Sequence, residues 1–456
     1  MSLASLLSIA RSALATHQRA IETASHNVAN AQTQGYSRQR AELVAMSPEQ
    51  TPWGTVGRGV TDLGIARARD AFLDDNFRNQ SGLLQQSTTL QDLLGRIEAT
   101  IGEPSDTGLA AALDDLFSAF GDLANDPAGA TPRGLVQQNA QLLVQQFRRI
   151  DSAISDAARE AAERLRSGVA DVNALAGQVA DLNRQILELG GPLRRAPDLE
   201  DQRDRLLDRL AELVGARTLR RDNGSVAVIA GNTVLVDGGF SQPIQLVSAP
   251  GGGFGVGLAN GGGTMISLGS GALRALSDVT TTYAPAYRAR LDALAAGLVS
   301  EVNAIHRTGT TPAGATNTDF FDPAGTTAGT IKLAPAVAAS RDAIAAGATN
   351  APGDGAVALQ LAQLRTTGVA SFGGQTIGAA YNDLVALVGV DVRVATQSAQ
   401  AQDILVAQAD TQRLAVSGVS IDEELTNLIA QQQAFTAASK LVSVADEMAQ
   451  TVLQMV

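Results

Sequence analysis

The side chains able to do chemistry are few in this sequence and poorly placed for it. Its three histidines, His17, His26 and His306, lie far apart or on terminal segments. No histidine pair at ligand spacing beside a carboxylate emerges, so neither a zinc nor a non-haem iron site is expected. His17 falls in a row of regularly spaced apolar residues, where a structural role is the simpler reading. The run GGGFGVG (Gly251–Gly257) invites comparison with a phosphate loop. It lacks the Lys-Ser/Thr ending of a P-loop and the G-x-G-x-x-G spacing of a dinucleotide site, and no strong helix follows, so it reads as a hairpin loop. The acidic triplet Asp422-Glu423-Glu424 offers metal or acid–base chemistry, but it stands after Ser420 and before an apolar row. Acids there suit the first turn of a helix, with Ser420 as N-cap. Cysteine is absent, which removes disulfides, thiolate metal sites and thiol nucleophiles together. No G-x-S-x-G elbow occurs. The expectation is a non-enzymatic chain with no catalytic residues, no cofactor and no metal.

The elements that would hold any site are mostly helical. Leu7, Leu14, Ile21 and Val28 recur at a spacing of seven, with Leu3, Ala10, Ala24 and Ala31 in a second row interrupted by His17. That is a coiled-coil seam. The far end repeats it: Leu428, Phe435, Val442, Ala449 and Val456 form one row, and Ala438, Ala445 and Val452 the other, interrupted by Gln431. A helix with one apolar stripe is marginal in water, so each end needs a partner. Met1–Arg40 carries four Arg and one Glu, whereas Ser417–Val456 carries five acids and one Lys. Charge therefore favours pairing the two ends, weakly because of screening.

Between them, Asp70 to Leu219 reads as helix broken at Gly102–Gly108, Asn125–Gly134 and Gly190–Asp198, each break holding Pro and Gly. From Asn223 to Leu273 there is one charged residue, Asp237, and short Val/Ile/Leu runs alternate with Gly, Asn and Pro. This predicts β-hairpins. Helix is expected again from about Tyr283 to His306, then loop from Arg307 to Lys332, short helices at Ala336–Ala346 and Ala356–Leu364, and a long helix at Tyr381–Val416. The fold class is thus mainly α with a small β insert. The boundaries expected are 1–40 with 417–456 as a terminal coiled coil, 41–222 with 276–416 as a discontinuous helical bundle, and 223–275 as a Gly-rich, outward-facing β domain.

With 456 residues and 45% of them hydrophobic, the chain can bury real cores. A formal net charge of -12, with only Lys332 and Lys440 as lysines, argues against nucleic acid as the main partner. The N-terminal apolar run has no basic residue before it and makes a poor cleavable signal peptide. No apolar run approaches the roughly 18 residues of a membrane-spanning helix, so no membrane insertion is expected.

Beyond the first seam comes NVANAQTQGYSRQR (Asn27–Arg40), polar, turn-capable at Gly35, and with Tyr36 as its one aromatic. On physics alone a solvent-facing linker explains it. Asn27, Val28, Ala29, Asn30, Gly35 and Tyr36, however, match the N-terminal signature of the axial proteins of the bacterial flagellum, the rod, hook and hook-associated proteins, which this stretch resembles. Ser37–Gln39 is most similar to the hook-associated branch at the junction of hook and filament. Arg67–Arg78 and Ser417–Met455 resemble two further segments of that branch, although Gln431 stands where Phe is frequent and Phe435 where Tyr is common.

The resemblance implies that the terminal helices pair as an inner coiled coil and pack against copies of the chain in a ring. The hook protein would lie on one side and the next hook-associated protein on the other. Leu7, Leu14, Ile21, Val28, Asn30, Gly35, Tyr36, Arg38, Leu428, Phe435, Val442, Ala449 and Val452 would form the assembly interface, with Tyr36 and Arg38 the leading intersubunit contacts. It also implies extracellular placement through the flagellar type III export apparatus. A dedicated export chaperone would hold the C-terminal helix at Leu428, Phe435, Leu441, Val442, Met448 and Val452. Rival readings are another axial protein, such as the third hook-associated protein or a flagellin, a secreted adhesin using the β domain, or a secreted enzyme. The last suffers from the near absence of titratable groups in the insert.

Overall fold

A computed structural model describes residues 3–51, 54–191 and 195–454. Val456 of the expected seam lies outside them. Helix α1 (Leu3–Ala29) leads into a long antiparallel hairpin of β1 (Gln39–Ala45) and β4 (Val60–Arg67), with β2 (Glu49–Thr51) and β3 (Gly54–Val56) pairing at its tip. The helical body follows: α2 (Ala71–Ile101), α3 (Leu109–Asn125), α4 (Ala130–Glu188) and α5 (Pro197–Val214). Asp70 caps α2 by accepting from the amides of Phe72 and Leu73, as an N-cap aspartate should. The spine is α4, 59 residues long, whose buried row Val136, Ala140, Leu143, Phe147, Ile150, Ile154, Ala161 and Leu165 keeps the three-and-four spacing of one helix face.

Strands β5 (Arg217–Arg220), β6 (Val226–Ala230), β7 (Thr233–Asp237) and β8 (Phe240–Ser241) form one antiparallel sheet in that order, and β9 (Ile244–Ser248) pairs with β10 (Phe254–Leu258). The glycine run supplies the β9–β10 turn. Val228, Leu235, Val236, Ile244 and Val256 join the core that α4 organises. Then come α6 (Ala272–Asp278), a π-helical turn (Val279–Tyr283) and α7 (Ala284–His306). Pro285 sits in the first turn of α7. Having no amide hydrogen, it cannot close the preceding α turn, which accounts for the wider turn there. Short helices α8 (Pro335–Ala339) and α9 (Ala356–Gln363) precede α10 (Ile377–Ser417), which lies along α2, and α11 (Ile421–Gln454), which lies along α1.

Four local expectations are corrected. Helix does not continue to Leu219: it stops at Val214, because Gly215 adopts φ 62 and caps α5, and β5 begins the sheet before residue 223. Helix resumes at Ala272 rather than near Tyr283, since Leu273 and Leu276 are buried core residues. The hairpin over residues 39–67 replaces helix at the start of 41–222; β1 is mostly exposed and β4 mostly half-buried, so neither strand shows an in–out alternation. Ala336–Ala346 forms only α8 and a 3-10 turn at Arg341–Ala343. The irregular stretch after α7 is packed nonetheless. Phe320 and Phe321 are fully buried, and Asn303 accepts from both their amides.

Candidate assembly interface

Helices α1 and α11 run antiparallel, as the meetings of Asn27 with Glu424 and of His17 with Gln431 require. The most buried apolar residues along their contact are small: Ala10 and Ala24 on α1, Ala438 and Ala445 on α11. Small residues let the axes approach. The larger row, Leu7, Leu14, Ile21 and Val28 with Leu428, Phe435, Val442 and Ala449, is consequently only half-buried, rather than sharing the seam equally as the heptads suggested. The two interruptions of the seam meet each other: His17 Nδ1 donates to Gln431 Oε1 at 2.8 Å. A second buried row of α1, Thr16, Ala20, Thr23 and Asn27, lies on the flank where the β1–β4 hairpin packs. Thr16 and Thr23 satisfy their hydroxyls on the carbonyls of Ser12 and Arg19. Arg19 also pairs with Asp62 of β4.

The polar stretch from Asn27 folds into a seat for this helix pair. Asn27 is fully buried and uses its whole amide: Oδ1 accepts from the Gln39 amide and the Tyr36 hydroxyl, while Nδ2 donates to the Gln39 carbonyl and to Glu424. An amide so placed has no capacity left unsatisfied. His26 Nδ1 donates to the Tyr36 oxygen at 3.0 Å, and Asn30 holds the turn through the His26 carbonyl and the Thr33 hydroxyl. Gly35 turns the chain at φ 75, where a side chain would collide with the stem of Arg205. Burial, and then Asp198, Asp201 and Glu424, push the Tyr36 phenol well above the usual tyrosine range, so it stays a donor.

Arg38, which the family resemblance implies as an intersubunit contact, binds within the chain through two of its nitrogens, Nε on Glu424 at 2.7 Å and Nη1 on Glu423 at 2.9 Å. Its amide donates to the Ser417 carbonyl at the end of α10. The acidic triplet therefore has a cation partner in addition to its place in the first turn of α11. Ser420 Oγ accepts from the Glu423 amide at 3.4 Å, a weak cap.

Next to this seat lies a buried charge cluster that sequence reading missed. Asp201 accepts from both the amide and hydroxyl of Ser37, while Asp204 takes Arg67, Arg69 and Arg78 at 2.6, 2.9 and 3.3 Å. Burial alone would raise the Asp204 carboxyl, but the three guanidinium groups outweigh it and hold it far below the usual range. Asp208 binds Arg78 and also Arg413 of α10, whose guanidinium lies 3.7 Å over the Phe77 ring. Hairpin, α2, α5 and α10 are thus tied at one place. Neutralised charges in the interior hold each other only in near-complete sets, and the scattered Arg and Asp of 67–78 and 200–208 gave no local sign of meeting.

Leu441, Met448 and Val452 remain 46%, 51% and 57% exposed on α11. A cavity of about 700 Å³ between α4, the β9–β10 turn and α7 is bordered by Ala158, Ala162, Gly252, Ala284, Arg288 and Asp292.

Residues 94–321 match the family described as the flagellar hook-associated protein FlgK helical domain. Residues 411–455 match the C-terminal family of flagellar basal body rod FlgEFG proteins, and residues 7–36 the flagella basal body rod protein family. Flagellar hook-associated protein 1 of Bacillus subtilis (strain 168) is 30% identical over an alignment of 499 positions, covering 98% of this chain and 97% of that protein. The Salmonella typhimurium protein of the same name is 30% identical over 251 positions, covering 54% of this chain and 45% of its own length. In fold, the flagellar hook junction protein FlgK from Burkholderia pseudomallei superposes with a TM-score of 0.67 over 75% of this chain and 100% of that one, at 17% identity.

Proposed function

The chain belongs to the flagellar hook-associated protein FlgK family, and on that premise we propose how it does its work. It is a structural component of the axis of the bacterial flagellum, at the junction of hook and filament. Its relatives are structural flagellar proteins, and we read this chain as acting by packing rather than catalysis.

The observation that carries the proposal is the incomplete burial of the terminal pair. Residues 1–40 with 417–456 act as the assembly unit: α1 and α11 close on their alanine row and leave larger apolar side chains half-covered or exposed. A second copy completes that burial, since large exposed apolar faces mark interaction sites. Leu7, Leu14, Ile21 and Val28, with Leu428, Phe435, Val442, Ala449 and Val452, make the contact between copies in a ring. Asn30, Gly35, Tyr36 and Arg38 contribute by shaping the seat that sets the tilt of the pair. Residues 41–222 with 276–416 form the outer helical body, and 223–275 its outward β domain. The hook protein packs on one side and the next hook-associated protein on the other.

Export through the flagellar type III apparatus places the chain outside the cell. Before export a chaperone covers Leu428, Phe435, Leu441, Val442, Met448 and Val452, which would otherwise drive early association. Deleting the gene tests the junction role. Hooks without filaments, with flagellin shed into the medium, are expected; normal filaments and swimming would overturn it.

A further inference from the structure

Arg203 of α5 is a buried cation without a counter-ion. It is 3% exposed, yet no carboxylate lies within 4 Å of it among the described residues. Nη1 donates to Asn183 Oδ1 and to the Gly224 carbonyl, both neutral, and Nε has no partner. A guanidinium so buried is costly unless something neutralises it. Burial lowers its pKa to about 10 even though Asp204 and Glu200 oppose the shift.

Arg203 borders a cavity of about 330 Å³ between the end of β4, α5 and the β5–β6 turn. Arg67, Arg69, Arg195, Arg220 and Arg221 border it too, against two carboxylates, Glu200 and Asp222. The other five arginines have carboxylate partners: Arg67 on Glu200, Asp201 and Asp204, Arg69 on Asp74 and Asp204, Arg195 on Glu42, Arg220 on Asp74, Arg221 on Asp237. Those pairs leave Arg203 as the uncompensated charge. Arg67 Nε is a second buried donor without an acceptor beside the same cavity. At ~30 Å³ of liquid volume per water, the space holds a tetrahedral oxyanion with several waters.

We propose that this cavity binds a small oxyanion of the inorganic phosphate class, held by Arg203 at its base and by Arg220 and Arg221 at the turn. The anion ties the β5–β6 turn to α5 and to the end of the terminal hairpin, at the place where the helical body meets the seat of α1 and α11. This function is separate from packing between copies, so its failure leaves the junction reading intact.

The test is thermal unfolding of the full chain in sodium phosphate against sodium chloride at equal ionic strength, with calorimetric titration of phosphate. A saturable rise in melting temperature specific to phosphate is expected. Arg203→Met keeps the apolar stem and should weaken phosphate binding about tenfold or more, the worth of a charge-assisted hydrogen bond. Arg221→Gln changes an exposed side chain, preserves folding, and should weaken it severalfold should Arg203→Met not fold. Phosphate acting no better than chloride overturns the proposal, as does an equal phosphate effect in both variants, which would mean that the anion binds elsewhere.

Discussion

His17 and Gln431 each interrupt an apolar row, and each is explained by the other. A polar pair inside an alanine seam costs little while both members are present, whereas one member alone leaves a half-buried group without its partner. His17→Ala and Gln431→Ala should each destabilise the terminal pair by about 1 kcal/mol, and the double variant by less than their sum. Denaturation of the four proteins of this cycle measures the coupling; strict additivity would show that the contact contributes nothing. His306 presents a different case, because its neighbours fix its charge. Nδ1 donates to the Thr318 carbonyl and Nε2 accepts from the Ala345 amide, so only the neutral ring fits both. Burial, with Arg133 adding to it, lowers its pKa against the opposing pull of the Thr318 carbonyl and Asp319. Below about pH 6.5, the ordinary histidine value, the unfolded chain therefore binds more protons than the folded one. Stability should fall as pH drops from about 7 towards 5, and His306→Gln, although less stable at pH 7, should flatten that slope. A parallel slope in the variant would assign it to another group.

At the scale of elements, Asp204 is the point where hairpin, α2 and α5 converge, through Arg67, Arg69 and Arg78. Removing one member of a buried ion cluster strands the others, so Asp204→Ala should cost about 3–5 kcal/mol. Hydrogen exchange should then rise first in β4, the start of α2 and α5, while the α4 core stays protected. Uniform loss of protection would mean that the cluster is not a local tie. Because the folded carboxyl is held far below its ordinary value, its contribution is complete at neutral pH and is lost only in acid, as pH falls below about 4 towards the depressed folded value. Much of the element order was legible from punctuation: Gly102 and Gly129 stand at the boundaries of α2 and α4, whereas Gly215, which ends α5, lies inside a stretch that reads as helix. The β1–β4 hairpin was not, because its residues pack mainly on α1 through a polar flank.

Over the whole molecule, the two chain ends, almost 400 residues apart in sequence, pair into one unit that leaves Leu441, Met448 and Val452 exposed. Leu441→Asp, Met448→Asp and Val452→Asp alter side chains already in solvent, so the melting temperature of the isolated chain should barely move, within the ±0.5 kcal/mol usual for surface changes. In cells the same variants should reduce filament number and swimming. A large loss of chain stability would instead place those residues in the chain's own core. The sequence by itself determined the helical class, the apolar Gly-rich insert, the heptad rows and the flagellar signature, because these are local or periodic features that hydrophobic spacing and turn residues write directly. Only the tertiary structure decided that the alanine row would be the inner one, that Arg38 would bind Glu423 and Glu424, and that arginines of 67–78 would meet aspartates of 201–208. Which charges meet, and which face of a helix closes first, depends on the approach of distant segments, and no spacing along the chain encodes that distance.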